Sequence, residues 1–269
     1  MANFFGTQFR DVLRGTDLAD YLIGGGGDDE LWGGRGDDRL YGDAGNDVLH
    51  GEAGADSLFG GDGADRMFGG ADNDFLNGGT GGDQLFGDAG NDTATGGDGN
   101  DQVVGGDGAD AIGGGFGRDV LEGGAGDDLI GSVLYGADGA GADTLTGGGG
   151  SDRFFYNDLN DSRGAGLPSI GKFIVSPSEL GVDLITDFNK AEGDRIVFGG
   201  LIDANLTTQA REAFTFIGMS ATPGTGQLSY FHEGGRTILV GNVNANPDID
   251  FRVELAGTVA LTAGDFFFG

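Results

Sequence analysis

Aspartate returns every nine residues through the first half of this 269-residue chain: Asp11, Asp20, Asp29, Asp38, Asp47, Asp56, Asp65, Asp74, Asp83, Asp92, Asp101, Asp110, Asp119 and Asp128. A repeating backbone would stack such carboxylates in columns, and like charges at close spacing repel. A hard cation between them removes the repulsion. Calcium takes six to eight oxygens at about 2.3–2.6 Å and mixes carboxylate with backbone carbonyl, whereas magnesium demands a stricter octahedron and keeps its waters. The column therefore reads as a series of calcium ligands.

The elements that hold it follow from the same period. Framed from Gly6, fourteen ungapped blocks run to Gly131, each opening on Gly, with Asp sixth and an apolar residue eighth, from Leu13 to Ile130. After six further residues, 132–137, two more blocks carry Asp143 and Asp152 at the sixth place. The consensus is G-G-x-G-x-D-x-Φ-x. The last three places predict a very short strand with one side chain inward. The Gly-rich six predict a tight turn that needs positive φ. Two blocks make one coil with a strand on each side, and stacked coils predict two parallel sheets about 4.8 Å per strand around a thin apolar core. The fold class expected is all-β, a parallel β-roll over residues 6–155 followed by a small β-rich cap over 156–269.

Composition agrees. There are 61 Gly, 4 Pro and no Cys, and 44 acidic against 14 basic residues give a formal charge of −30. So acidic a chain repels nucleic acid and anionic membrane and attracts cations. Without Cys there is no disulfide or thiolate metal site. The start, MANFFGTQFR, lacks the basic-then-apolar pattern of a secretory signal peptide. No apolar run reaches the roughly 20 residues of a membrane helix. The competing reading, a disordered Gly/Asp tract, is opposed by strict periodicity in three columns. A metal-free chain of this kind cannot offset its ordering entropy, so metal binding would supply folding free energy.

The block pattern resembles the RTX nonapeptide repeat, the calcium-binding β-roll of type I secreted bacterial proteins. The resemblance covers Gly6 to Phe155. It implies calcium between turns of blocks two apart, held by the sixth-place Asp and by carbonyls of the second and fourth places. Carried onto this chain, those carbonyls belong to Gly25 and Gly27, Gly34 and Gly36, Asp43 and Gly45, Glu52 and Gly54, Gly61 and Gly63, Gly70 and Asp72, and Gly79 and Gly81. They continue with Asp88 and Gly90, Gly97 and Gly99, Gly106 and Gly108, Gly115 and Gly117, Gly124 and Gly126, Gly139 and Gly141, and Gly148 and Gly150. The ion count expected is about ten. The first two blocks depart from the pattern, with Thr7 and Phe9, then Thr16 and Leu18, where Gly is usual. Weak or absent ions are expected there, and a thinner core near Ala94.

Beyond Tyr156, RIVFGG, AFTFIG, TILVGN and FRVELAG read as short strands, and LTTQAREAFTF as a short helix. GVDLITDFNKAEGDRIVF and the segment from AFTFIG to LTAGDFFF resemble the C-terminal part of serralysin-type RTX domains. That resemblance implies a further calcium at Asp161 and Asp183. The closing GDFFFG resembles a type I secretion signal, which implies an ABC exporter as partner and an extracellular location, with folding where calcium is millimolar. The alternative for that segment is an ordinary final strand starting at Asp265.

No catalytic motif emerges. HEGGR at His232 has only the start of H-E-x-x-H, and G-x-S-x-G is missing. The chain is read as non-enzymatic. One outward column of ninth places holds Trp32, His50, Phe68, Phe86 and Val104; the other holds Ile23, Tyr41, Phe59, Asn77 and Thr95. Stacked rings of this kind stabilise neighbouring strands. The alternative is an apolar stripe for self-association or polysaccharide. The function expected is an extracellular calcium-binding structural or matrix protein. The alternative is a non-catalytic module that assists secretion, folding or polysaccharide binding of a larger enzyme such as a serralysin-type metalloprotease or an alginate epimerase.

Overall fold

Alternation with a period of two sets the local structure. From the seventh place of one block to the third of the next, side chains point out, in, out, in, out, out, with the eighth-place apolar residue and the first-place Gly facing inward. In the computed structural model, each such run from Tyr21–Gly26 to Val120–Ala125 is one six-residue strand, as in Glu30–Arg35, Arg39–Ala44 and Val48–Ala53, whereas the first, Val12–Arg14, has three residues. The strand is twice the expected length. The first-place Gly keeps an extended backbone and a buried, inward position, so the turn is confined to the fourth to sixth places. The structure describes residues 1–131, 143–156, 183–198, 215–220, 223, 227–242 and 251–268.

Each strand pairs in parallel with the strand two blocks on, in strict register: Leu22 opposite Leu40, Leu40 opposite Leu58, and Leu31 opposite Leu49. Among the described residues the two sheets contain 11 and 13 strands. Between them lies a single file of buried side chains that includes Leu22, Leu31, Leu40, Leu49, Leu58 and Met67. Ala94 sits in that file, 2% exposed, between Leu76 and Ile112. One inward apolar side chain per nine residues is a thin core.

The sheets do not end with the repeat. Arg153–Tyr156 pairs with Arg195–Phe198, which pairs with Phe266–Phe268. On the other side Thr144–Gly149 pairs with Leu184–Ile185, which pairs with Phe251–Ala256. The C-terminal strands thus extend the same two sheets. The second sheet then turns antiparallel, with Arg236–Asn242 between Phe251–Ala256 and Gln227–Glu233. Gly234 and Gly235, at φ 59° and 82°, make the tight hairpin between Gln227–Glu233 and Arg236–Asn242. Among the described residues the only helical element is the 3-10 turn Ala263–Asp265. Most of the helix expected at LTTQAREAFTF lies outside the described residues. Its last two residues, Thr215 and Phe216, instead open the strand Thr215–Met219. No described helix is long and apolar enough to cross a membrane.

Candidate metal centre

Stacking the coils places the sixth-place aspartates on two edges of the roll. There each backbone N–H donates to Oδ1 of the aspartate in the next coil. Asp20 donates to Asp38 at 2.7 Å, Asp38 to Asp56 at 2.7 Å, and Asp56 to Asp74 at 2.8 Å. This ladder continues through Asp128 and Asp152 to Asp194. The opposite ladder runs from Asp11 through Asp29 and Asp47 to Asp119, Asp143 and Asp183. Asp183 therefore stands as the rung above Asp143, with its Oδ1 3.1 Å from that amide. Its expected companion Asp161 lies outside the described residues, as do Gly139 and Gly141.

The second oxygen of each carboxylate is different. Oδ2 is buried and has no hydrogen-bond partner in Asp29, Asp38, Asp47, Asp56, Asp65, Asp74, Asp83, Asp92, Asp101, Asp110, Asp119, Asp128 and Asp152. Burying an ionised oxygen without a partner is costly. The first-place Gly explains why this oxygen has room. A β-carbon at Gly33 would lie 2.5 Å from Asp38 Oδ2 and 2.9 Å from the Gly51 carbonyl oxygen, so both oxygens converge on the space it would fill. First-place Gly is required by this close approach and not by positive φ.

Positive φ belongs to the second and fourth places, for example Gly61 at 112° and Gly63 at 135°. Asp43, Glu52 and Asp88 at the second place, and Asp72 at the fourth, adopt it without being Gly, at φ 71°, 78°, 73° and 80°. No group of three or more His, Asp or Glu side chains converges among the described residues. A cation here must draw on one or two carboxylates plus backbone carbonyls, a donor set that suits calcium.

Burial pushes the aspartates up, and neighbouring carboxylates add to it, against the pull of the amide hydrogen bond. Asp74 rises to about 8; Asp56, Asp65, Asp101 and Asp128 rise to about 7. Asp38, Asp47, Asp92 and Asp152 rise to about 6. Asp20 is the exception. Burial raises it, but the Thr16 hydroxyl and the amides of Ala2 and Thr16 outweigh that and leave it lowered.

Several participants escaped the sequence reading. Asp194 tops one ladder, and Asp194–Ile196 repeats the Asp-x-Φ spacing of the blocks, a signal that could have found it. A fifth-place ladder runs outside the first: Asn46 N–H donates to Asp28 Oδ1 at 2.9 Å, and Asn91 N–H to Asn73 Oδ1 at 2.7 Å. Its signal is the run of Asp and Asn at that place. Asp187 accepts from the amides of Gly147 and Gly148, both at 2.8 Å.

The aromatic column stacks as expected. Centroid distances are 3.9 Å for Trp32–His50, 4.9 Å for His50–Phe68 and 5.2 Å for Phe68–Phe86, with planes within 15°. Arg14 covers the far face of Trp32 at 4.8 Å. The rings thus cover one another's faces and present their edges. Seventh-place rings also join in, Tyr21 against Tyr41 at 5.2 Å and Phe75 against Phe59 at 5.6 Å. The ninth-place reading omitted them because both places point outward in a six-residue strand.

Solved structures similar to this chain include the AlgE6R3 subunit of the mannuronan C5-epimerase from Azotobacter vinelandii, 23% identical, with 73% of this chain and 77% of that one covered and a TM-score of 0.28. The AlgE6R2 subunit is 26% identical over 70% of this chain and 88% of that one, with a TM-score of 0.35. The extracellular lipase LipA from Serratia marcescens is 14% identical, with 99% of this chain but 40% of that one covered and a TM-score of 0.20. No curated protein sequence matches. Residues 5–40, 41–76, 77–112, 105–131 and 136–162 match the model for the RTX calcium-binding nonapeptide repeat (4 copies). The chain belongs to the RTX calcium-binding repeat family.

Proposed function

We propose that this chain is a calcium-folded β-roll that works outside the cell as a non-catalytic structural or matrix protein. The observation that carries the reading is the set of buried Oδ2 atoms without partners, from Asp29 to Asp152. The carboxylates of those aspartates, with carbonyls of the second and fourth places, would hold the ions, about ten in all. Calcium would supply the positive charge that lets stacked carboxylates stay ionised in a thin core. Binding free energy would then be folding free energy. A low-calcium cytosol would leave the chain loose for a type I exporter, and extracellular calcium would fold it. The C-terminal strands, read as serralysin-like, would close the end of the roll.

Sedimentation velocity in EDTA, then across a calcium titration to several millimolar, tests this reading. An expanded monomer that compacts with calcium is expected. No response would overturn it. Compaction followed by larger species would favour a matrix protein. Compaction to a monomer alone would favour the second reading, a module of a larger secreted enzyme.

A further inference from the structure

The first two turns differ from those at Asp29 to Asp128 in how the carboxylate is satisfied. Thr16 occupies the second place of its block, and its hydroxyl donates to Asp20 Oδ2 at 2.6 Å while its amide donates to the same oxygen at 2.8 Å. The hydroxyl oxygen in turn accepts the N–H of Leu18 at 3.2 Å. Thr7 repeats the arrangement: hydroxyl to Asp11 Oδ2 at 2.8 Å, amide at 2.6 Å, and the Phe9 amide onto the hydroxyl at 3.2 Å. The Ala2 amide completes Asp20 through Oδ1. From Asp29 to Asp128, every sixth-place Oδ2 lacks these partners.

The carboxylates also shift. A β-carbon at Gly6 would lie 3.0 Å from Asp11 Oδ2, and at Gly15 3.3 Å from Asp20 Oδ2, against 2.5 Å at both Gly33 and Gly69. The oxygen that faces the convergence space in later turns has swung toward threonine in the first two.

We propose that Thr7 and Thr16 are built-in substitutes for the cation, so that the turns at Asp11 and Asp20 close without metal and calcium begins only beyond them. This rests on the calcium reading of the later turns. A threonine hydroxyl donates to the carboxylate and accepts from the fourth-place amide, which closes the turn in place of an ion. The opposite end is built alike. Asp265 Oδ2 accepts the amide and hydroxyl of Thr262 at 2.6 and 2.9 Å and meets the Lys190 ammonium at 2.8 Å. Both ends of the roll are thus closed by protein groups, with the metal-dependent coils between them.

Native mass spectrometry of the full chain at saturating calcium gives the ion count. Asp11→Asn with Asp20→Asn should leave the count unchanged, whereas Asp56→Asn should lower it. Thr7→Gly with Thr16→Gly should raise the count by up to two, and Thr7→Ser with Thr16→Ser should leave it as in the parent. A lower count in the Asp11/Asp20 variant, with normal calcium binding elsewhere, overturns this inference alone, as does an unchanged count in the glycine variant. A chain that takes no calcium at all overturns the calcium reading and this inference with it.

Discussion

The backbone N–H of Asp56 donates to Oδ1 of Asp74 at 2.8 Å, while Oδ2 of the same Asp74 is buried and has no partner. One carboxylate thus does two jobs. One oxygen fixes the register of successive coils, and the other faces a space lined by oxygen. The two jobs separate by mutation. Asp74→Asn keeps the amide acceptor and removes the charge. Without calcium at neutral pH the variant should be more stable than the parent, because folding no longer requires this carboxyl to take up a proton or be buried as a charge; with calcium it should be less stable and bind one ion fewer. A change of about 1–3 kcal/mol in each direction is expected. Thermal melts in EDTA and in calcium check both signs.

The raised aspartates set the pH dependence of the metal-free chain. Asp74 at about 8 and Asp56, Asp65, Asp101 and Asp128 at about 7 lie well above the ordinary value of 3.8. A folded-state pKa above the unfolded one means the folded chain binds more protons between the two. Stability is then full below about pH 4 and lost as pH rises through about 8. In EDTA the β signal by circular dichroism should strengthen on acidification from pH 8 to pH 4. Calcium should displace these protons, so titrations near pH 7 should release protons into the buffer. A metal-free chain that loses structure on acidification would contradict the burial of these groups.

Gly60 tests the convergence space. A β-carbon there would lie 2.6 Å from the Gly78 carbonyl oxygen and closer still to Asp65 Oδ2. Gly60 has no positive φ, so Gly60→Ala keeps an allowed φ and acts by pushing Asp65 Oδ2 and the Gly78 carbonyl out of the space they share. Calcium stoichiometry should fall by one and the folding midpoint should move to higher calcium. An unchanged count would move the ion elsewhere in the turn.

The aromatic column reads as a ladder, since its faces cover one another. Phe68→Ala removes two stacked neighbours, His50 and Phe86. It should cost about 0.4–2 kcal/mol, two pairs of the usual size. Sedimentation of the calcium-loaded variant should match the parent. A loss of larger species in the variant would instead make the column an association surface.

Lys190 holds the far end. Its ammonium reaches the buried Asp265 at 2.8 Å and the Ala260 carbonyl oxygen at 2.6 Å. Burial raises Asp265, but the Lys190 and Thr262 hydrogen bonds outweigh that and leave it lowered. Lys190→Met should leave that carboxylate without its cation and cost about 1–3 kcal/mol. The loss should appear at neutral pH and shrink as Asp265 is protonated at low pH, which a pH series of melts would resolve. Within GDFFFG, the segment Phe266–Phe268 forms the edge strand of a sheet among the described residues.

The repeat by itself determined the parallel pairing, the register of eighteen residues, the apolar file and the identity of the carboxylates. A period-nine pattern with one inward residue leaves the chain few other ways to bury Leu22, Leu31 and Leu40 together. Tertiary structure decided what depends on contact between coils. First-place Gly looks like a turn residue in sequence, but its role is to leave room for Asp Oδ2 of its own block and a carbonyl of the next coil. Thr7 and Thr16 look like departures from the pattern, yet their hydroxyls reach the carboxylates four residues on. Asp183 and Asp194 fall outside the run of blocks, and only strand pairing across long connections lines them up with Asp143 and Asp152. Sequence spacing fixes which residues share a face; the distance between stacked coils decides which of their oxygens are satisfied and which are left for a cation.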